Sequence, residues 1–177
     1  ESGLPWERAV RKHRYITSRS FISPPGKRSE IINKKINVDW GRIRGKNIAI
    51  VEDSIVRGST SKGVVKKMKD AGVGDIYLFV TFPRIISPCF YGIDMTTYRE
   101  LIGSDHTSDE IADELGIESV RYQSLDNFIE ATGLKRDEIC LACVNEDYPT
   151  PLAQRLADKY KSKFENGEKE PDRIYEG

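Results

Sequence analysis

Apolar positions along this chain fall into two rhythms, continuous runs and helical repeats. Residues 48–51, Ile-Ala-Ile-Val, form an unbroken apolar run, the pattern of a strand buried on both faces of a parallel sheet. Val64, Val65, Met68 and Ala71 then recur at helical spacing, with Lys62, Lys66, Lys67 and Lys69 on the other faces and Gly72 placed to stop the helix. Residues 76–82 read as a second buried strand, parallel to the first, with a right-handed crossover expected between them. Further on, Thr107 and Glu110 make a capping box for a helix reaching about Leu115. Residues 120–122 are a short strand candidate, and Leu125, Phe128 and Ile129 mark another helix. Thr150 caps a last helix with Pro151 at its first position and Leu152, Leu156 and Tyr160 on its buried side. The pattern is α/β, a mainly parallel sheet flanked by helices, with no internal repeat. From Lys161 onward the chain turns polar, which predicts disorder or loose docking. It divides the molecule into a domain over 1–160 and a tail over 161–177.

Between the first strand and its helix lies the most chemically loaded segment, residues 52–60, Glu-Asp-Ser-Ile-Val-Arg-Gly-Ser-Thr. A loop at the carboxyl end of a strand and the amino end of a helix offers unpaired N–H groups and the positive end of the helix dipole to an anion. Ser54, Ser59 and Thr60 add hydroxyl donors, and Gly58 lets the backbone approach a phosphate closely. The plainer reading, two acids capping the next helix, explains neither Arg57-Gly58-Ser59-Thr60 nor the run of hydroxyls. Glu52 and Asp53 are adjacent, and neighbours on a strand point to opposite faces. They can act together only where the chain has begun to turn.

This stretch resembles the phosphoribosyl pyrophosphate (PRPP) loop of type I phosphoribosyltransferases, and its inner Asp-Ser-Ile-Val-Arg-Gly narrows the likeness to the glutamine PRPP amidotransferase family. The resemblance implies a type I phosphoribosyltransferase fold, incomplete at the amino end. Glu52 and Asp53 would contact the ribose hydroxyls and magnesium, while Ser54, Ile55, Val56, Arg57, Gly58, Ser59 and Thr60 wrap the 5-phosphate. The first acid is Glu where the family more often has Asp. Magnesium suits this pair, as a hard ion that shares substrate oxygens and keeps waters. The family's reaction forms 5-phosphoribosylamine from PRPP and glutamine-derived ammonia, opening purine synthesis. Two other functions fit the loop: a PRPP- or nucleotide-binding regulatory module without catalysis, and another type I phosphoribosyltransferase.

Cys140 and Cys143 form a Cys-x-x-Cys pair, and Cys89 lies in Ser-Pro-Cys-Phe-Tyr-Gly-Ile-Asp. Spacing alone leaves zinc, a redox pair and three packed apolar thiols all open. Three thiolates are one short of the four that a tetrahedral zinc or a cubane cluster takes. Both motifs resemble the iron-sulfur branch of the same family. That likeness implies a 4Fe-4S cluster on Cys89, Cys140 and Cys143, with a fourth ligand outside this chain. The following Tyr91-Gly92-Ile93-Asp94 is either a plain turn or, by the same likeness, a stretch approaching the sugar site.

Charge is concentrated rather than raised. The 177 residues hold 28 basic and 28 acidic side chains, yet residues 8–35 carry Arg8, Arg11, Lys12, Arg14, Arg19, Lys27, Arg28, Lys34 and Lys35 against Glu30 alone. A local basic segment in a balanced chain suits a small polyanion better than a long nucleic acid. A solvated basic face or a nucleic-acid patch is the alternative. The segment resembles the family's flexible loop, with Arg19, Arg28 and Lys35 at its recurring basic positions. Pro25-Gly26-Lys27 and Asn33 depart from that pattern.

With 38% apolar and 32% charged residues the composition is that of a cytoplasmic enzyme domain, without a membrane span or secretory signal. Relative to the family, the glutaminase domain with its amino-terminal cysteine and the first strand of the transferase core are not in this sequence. The expected partners are therefore an upstream glutaminase portion or separate chain, further copies in a homo-oligomer, PRPP and purine nucleotides. The chain alone is expected neither to hydrolyse glutamine nor to make phosphoribosylamine efficiently. The 48–51 strand should pair with another polypeptide or sit at an uncovered edge.

Overall fold

The computed structural model describes residues 3–12 and 36–171. A small antiparallel ribbon comes first, β1 (Val10–Lys12) with β2 (Ile36–Val38), followed by one helical turn, α1 (Trp40–Ile43). The central layer is β3 (Ile48–Glu52), β4 (Ile76–Val80) and β5 (Ser119–Tyr122), parallel throughout and ordered β3-β4-β5. Ile48 lies opposite Ile76 and Glu52 opposite Val80, while Val80 also faces Tyr122. Helix α2 (Ser59–Asp70) connects β3 to β4, and α3 (Ser108–Leu115) precedes β5. The predicted parallel pairing and both helices are thus present. Ala71 follows α2, and Gly72 at φ 79° turns the chain out of it.

The main core joins Val64, Val65, Met68 and Ala71 of the α2 segment to Ile76, Leu78 and Val80 of β4, Ile111, Ala112 and Leu115 of α3, and Val120 of β5. These residues occupy one face of the sheet. On the other face Val51 is 69% exposed, Phe79 45% and Tyr77 36%. Burial on both faces of 48–51 is therefore not what the chain adopts; exposure alternates along β3 instead. The physical reason is that α2 and α3 cover a single face and, among the described residues, no layer covers the second. β3 is also the edge of the sheet among the described residues, one of the two arrangements expected for it. β4 stops at Val80 rather than Phe82, because the Phe82 ring leaves the strand to meet Phe128 edge-on at 4.9 Å.

The rest of the chain packs beside this layer. α4 (Leu125–Thr132) is capped by Ser124, and a short α5 (Ala142–Asn145) leads to α6 (Pro151–Glu165), where the Thr150 hydroxyl accepts from Ala153 N–H. A second cluster forms from Ala142, Tyr148, Ala153 and Ala157 with Phe90 against it. Its polar centre is Tyr148, whose hydroxyl donates to Pro88 O at 2.6 Å and lies 2.9 Å from Ser87 Oγ. Leu152, expected on the buried side of α6, is exposed. The seam runs through Ala153 and Ala157, small residues that let the helix approach closely, and through Tyr160, buried as expected. As far as Pro171 the tail is not loose either. α6 continues past Lys161 to Glu165, and Glu170 is 6% exposed with its carboxylate held by two backbone N–H groups.

Candidate functional site

At the carboxyl end of β3 the chain turns as the two acids require. Glu52 is the last strand residue and half-buried; Asp53 sits in the bend beyond it and is exposed. Thr81 pins this bend, its N–H donating to Glu52 O at 3.0 Å and its hydroxyl to the Glu52 and Asp53 carbonyls at 3.3 and 3.4 Å. Asp53 Oδ1 accepts the Ser54 N–H at 2.5 Å and lies 3.2 Å from Ser54 Oγ. Burial raises the Glu52 carboxyl above its ordinary value, and the neighbouring Asp53 charge raises it further. Two carboxylates close enough to repel, at the mouth of a strand, form a pair that a divalent cation would relieve. Magnesium is held in this way, by one or two carboxylates with the remaining positions left to substrate and water. The pair fits the ion.

Next to the acids, α2 opens without a side-chain cap. Gly58 is its N-cap residue at φ 70°, and no acid lies in the first turn. Ser59 and Thr60, both exposed, begin the helix. The first N–H groups of a helix have no intrahelical acceptor, so this end is available to an anion. Gly58 is required for a second reason. A Cβ there would stand 2.9 Å from Ile102 Cδ1, so the absent side chain makes room for the core as well as for a left-handed turn. A Gly58→Val change would consequently disturb packing whether or not phosphate binds.

The middle of the loop points inward. Ile55 is buried in the main core, and Val56 packs on Ile85, Met95 and Leu101. The Arg57 guanidinium donates through Nε to Glu100 Oε2 at 2.8 Å, through Nη2 to the same oxygen, and to Asp94 O at 3.0 Å. Both side chains of the Arg57–Glu100 pair are about seven-eighths buried, at 15% and 13% exposed. Burial pushes the Glu100 carboxyl up, but the Arg57 charge and hydrogen bond, with the Thr96 and Thr97 N–H groups, outweigh it and hold the carboxyl below its usual range. Glu100 was not among the residues expected at the site. The signal that could have found it is Thr97-x-x-Glu100, the same capping-box spacing that located α3. Through Asp94, the 91–94 segment is tied to the loop.

Cys89 and Cys140 both lie near Cys143. All three are free, with Cys140 exposed and Cys89 and Cys143 half-buried beside Ile85, Met95 and Leu101. The Cys143 thiol is pushed up to about 11, first by burial and then by Cys89 and Cys140, so these neighbours lie within electrostatic reach. Cys89 Sγ accepts the Tyr91 N–H at 3.4 Å. Among the described residues no three His, Cys, Asp or Glu side chains are set as ligands for a metal ion. The described residues thus give no support to a 4Fe-4S cluster on Cys89, Cys140 and Cys143. Arg19, Arg28 and Lys35 lie outside the described residues.

The likeness of the loop extends to the chain around it. Over 153 residues the sequence is 42% identical to the amidophosphoribosyltransferase of Methanocaldococcus jannaschii, a match covering 86% of this chain and 32% of that protein. The chain's relatives are amidophosphoribosyltransferases. The Bacillus subtilis member is 37% identical over 158 residues, covering 86% of this chain and 33% of its own length. The solved glutamine PRPP amidotransferase of B. subtilis, complexed with ADP and GMP, superposes with a TM-score of 0.72 at 37% identity over 85% of this chain and 34% of that one. No family model matches. The chain spans about a third of the length of the curated amidophosphoribosyltransferases it matches. Its fold is that of the phosphoribosyltransferase portion of these neighbours, as the loop sequence predicted.

Proposed function

We propose that this chain is the phosphoribosyl-transfer part of an amidophosphoribosyltransferase, forming 5-phosphoribosylamine from PRPP and glutamine-derived ammonia at the start of purine biosynthesis. The observation that carries the reading is the placement of Glu52 at the end of β3 and Asp53 in the bend beyond it, next to the uncapped amino end of α2. One feature suits ribose hydroxyls and magnesium, the other a 5-phosphate. In this scheme Ser59, Thr60 and the first N–H groups of α2 hold the phosphate and fix the sugar against the acids. Arg57 takes no part in ligand binding, because Glu100 and Asp94 already occupy its guanidinium. Magnesium, when bound, would draw charge from the departing pyrophosphate. The ammonia nitrogen forms its bond to C1 as the C1–oxygen bond breaks, the electron pair leaving with pyrophosphate and the surplus proton passing to solvent. Glu52 and Asp53 face the positive charge that develops on the ribose.

Binding of purine nucleotides, suggested by the ADP and GMP held by the B. subtilis neighbour, would use the same phosphate cradle. A homo-oligomer, a glutaminase portion as partner and a cytoplasmic setting complete the proposal. Among the described residues no helix is long and apolar enough to cross a membrane. Amide hydrogen exchange tests the site directly. Amides of residues 54–60 should slow on addition of magnesium and PRPP, and unchanged exchange there would contradict the assignment.

A further inference from the structure

The only left-handed non-glycine residue among the described residues, Glu146 at φ 63°, points to a second structural demand beyond the loop itself. Such a conformation persists where surrounding contacts over-determine it. Glu146 Oε1 accepts the Tyr98 hydroxyl at 3.1 Å, and Oε2 accepts Lys161 Nζ at 2.6 Å, joining α6 to the turn at Tyr98–Glu100. The Tyr98 ring also stacks on Phe164 of α6 at 5.8 Å. The tail then completes the clamp. Glu170 Oε1 accepts Tyr98 N–H at 2.7 Å, Oε2 accepts Arg99 N–H at 2.9 Å, and Arg99 Nη2 donates to Glu168 O at 3.2 Å. A carboxylate 6% exposed and 72 residues away in sequence thus grips the opening of a three-residue turn.

The residue after Arg99 is Glu100, which holds Arg57, and two residues later Ile102 N–H donates to Val56 O at 2.9 Å. We infer that Glu170 is a positioning residue for the 54–58 loop: the carboxy-terminal tail fixes the Tyr98–Glu100 turn, and the turn fixes the phosphate loop through Glu100 and Ile102. This rests on the reading of that loop as a PRPP site. Glu170 itself touches none of the loop. Its carboxylate is suited to the task because a buried charge must be fully hydrogen-bonded, and two convergent N–H donors allow a single geometry.

Calorimetric titration with magnesium and PRPP tests the inference on Glu170→Ala, Glu170→Gln and Glu170→Asp, with Asp53→Asn alongside. Losing one charge-assisted anchor should weaken binding about tenfold in the alanine variant. Glutamine, with one acceptor oxygen, should fall between alanine and the native residue, and aspartate should restore part of the affinity. Exchange of the Ile102 amide in the unliganded protein should quicken in step. Native-like affinity and native-like Ile102 exchange in Glu170→Gln, with only the melting temperature lowered, would overturn the inference. If the native chain does not bind PRPP, the functional reading fails separately, and the Ile102 exchange alone decides whether tail and loop are coupled. If Glu170→Ala does not fold, the isosteric glutamine variant decides.

Discussion

Arg57 stands in the middle of a loop of phosphate-binding composition, yet its guanidinium is committed to Glu100 and Asp94. The composition of 52–60 singles out the loop but does not show which of its residues turn inward. Ile55, Val56 and Arg57 anchor the loop from beneath, while Asp53, Ser59 and Thr60 remain exposed. That division depends on where a loop's alternate residues turn, which follows from partners 37 and 43 positions away. No local pattern contains that information. Because the Glu100 carboxyl is held below its ordinary value, its contribution to stability is fully present above the usual carboxylate range and is lost as pH falls through the lowered value. Glu100→Gln should remove that acid-limb loss. It should also destabilise the protein by about 3 kcal/mol near neutrality, since Arg57 keeps its charge with its main partner gone. Denaturant melts across the acid range check both effects, and an unchanged acid limb would show that another group controls it.

Elements bounded by capping chemistry were legible in the sequence. Thr107 and Glu110 form the reciprocal box, with Thr107 N–H donating to Glu110 Oε2 at 2.7 Å, and α3 runs from Ser108 to Leu115. Thr150 and Pro151 likewise set the start of α6. Where no cap or period marks an element, reading failed: β1 and β2 are three residues each and pair across 23 intervening positions that lie outside the described residues. On α6 Tyr160 is buried as the spacing predicts, but size favours Leu152, whereas close packing on Tyr148 and Phe90 selects the alanines. Thr107→Ala should cost about 1 kcal/mol by removing one half of the box, while the same change at the exposed Thr132, which lies at the end of α4, should cost less. Thermal melts of the two variants make the comparison.

At the scale of the molecule, the sheet is half covered among the described residues. A parallel sheet normally carries helices on both faces, but Val51, Tyr77 and Phe79 present an apolar surface beside the open edge of β3. Apolar patches of this kind drive association in isolated chains. Val51→Lys combined with Phe79→Lys should therefore reduce concentration-dependent association in analytical ultracentrifugation with little loss of melting temperature, because neither side chain contributes to the main core. A cooperative loss of fold would instead mean that the face is packed in solution. The same architecture puts the 54–58 loop between the carboxyl end of β3 and the amino end of α2.

Direct calorimetry of PRPP binding, with and without magnesium, tests the central claim most closely. The native chain should bind magnesium-PRPP, and Asp53→Asn, which keeps the side-chain shape but removes one of the two paired charges, should abolish the metal-dependent part of the affinity while leaving the melting temperature of the unliganded protein unchanged. Equal affinity in the two proteins, or no difference between titrations with and without magnesium, would contradict the assignment of Glu52 and Asp53 to the metal and of the α2 amino end to the phosphate.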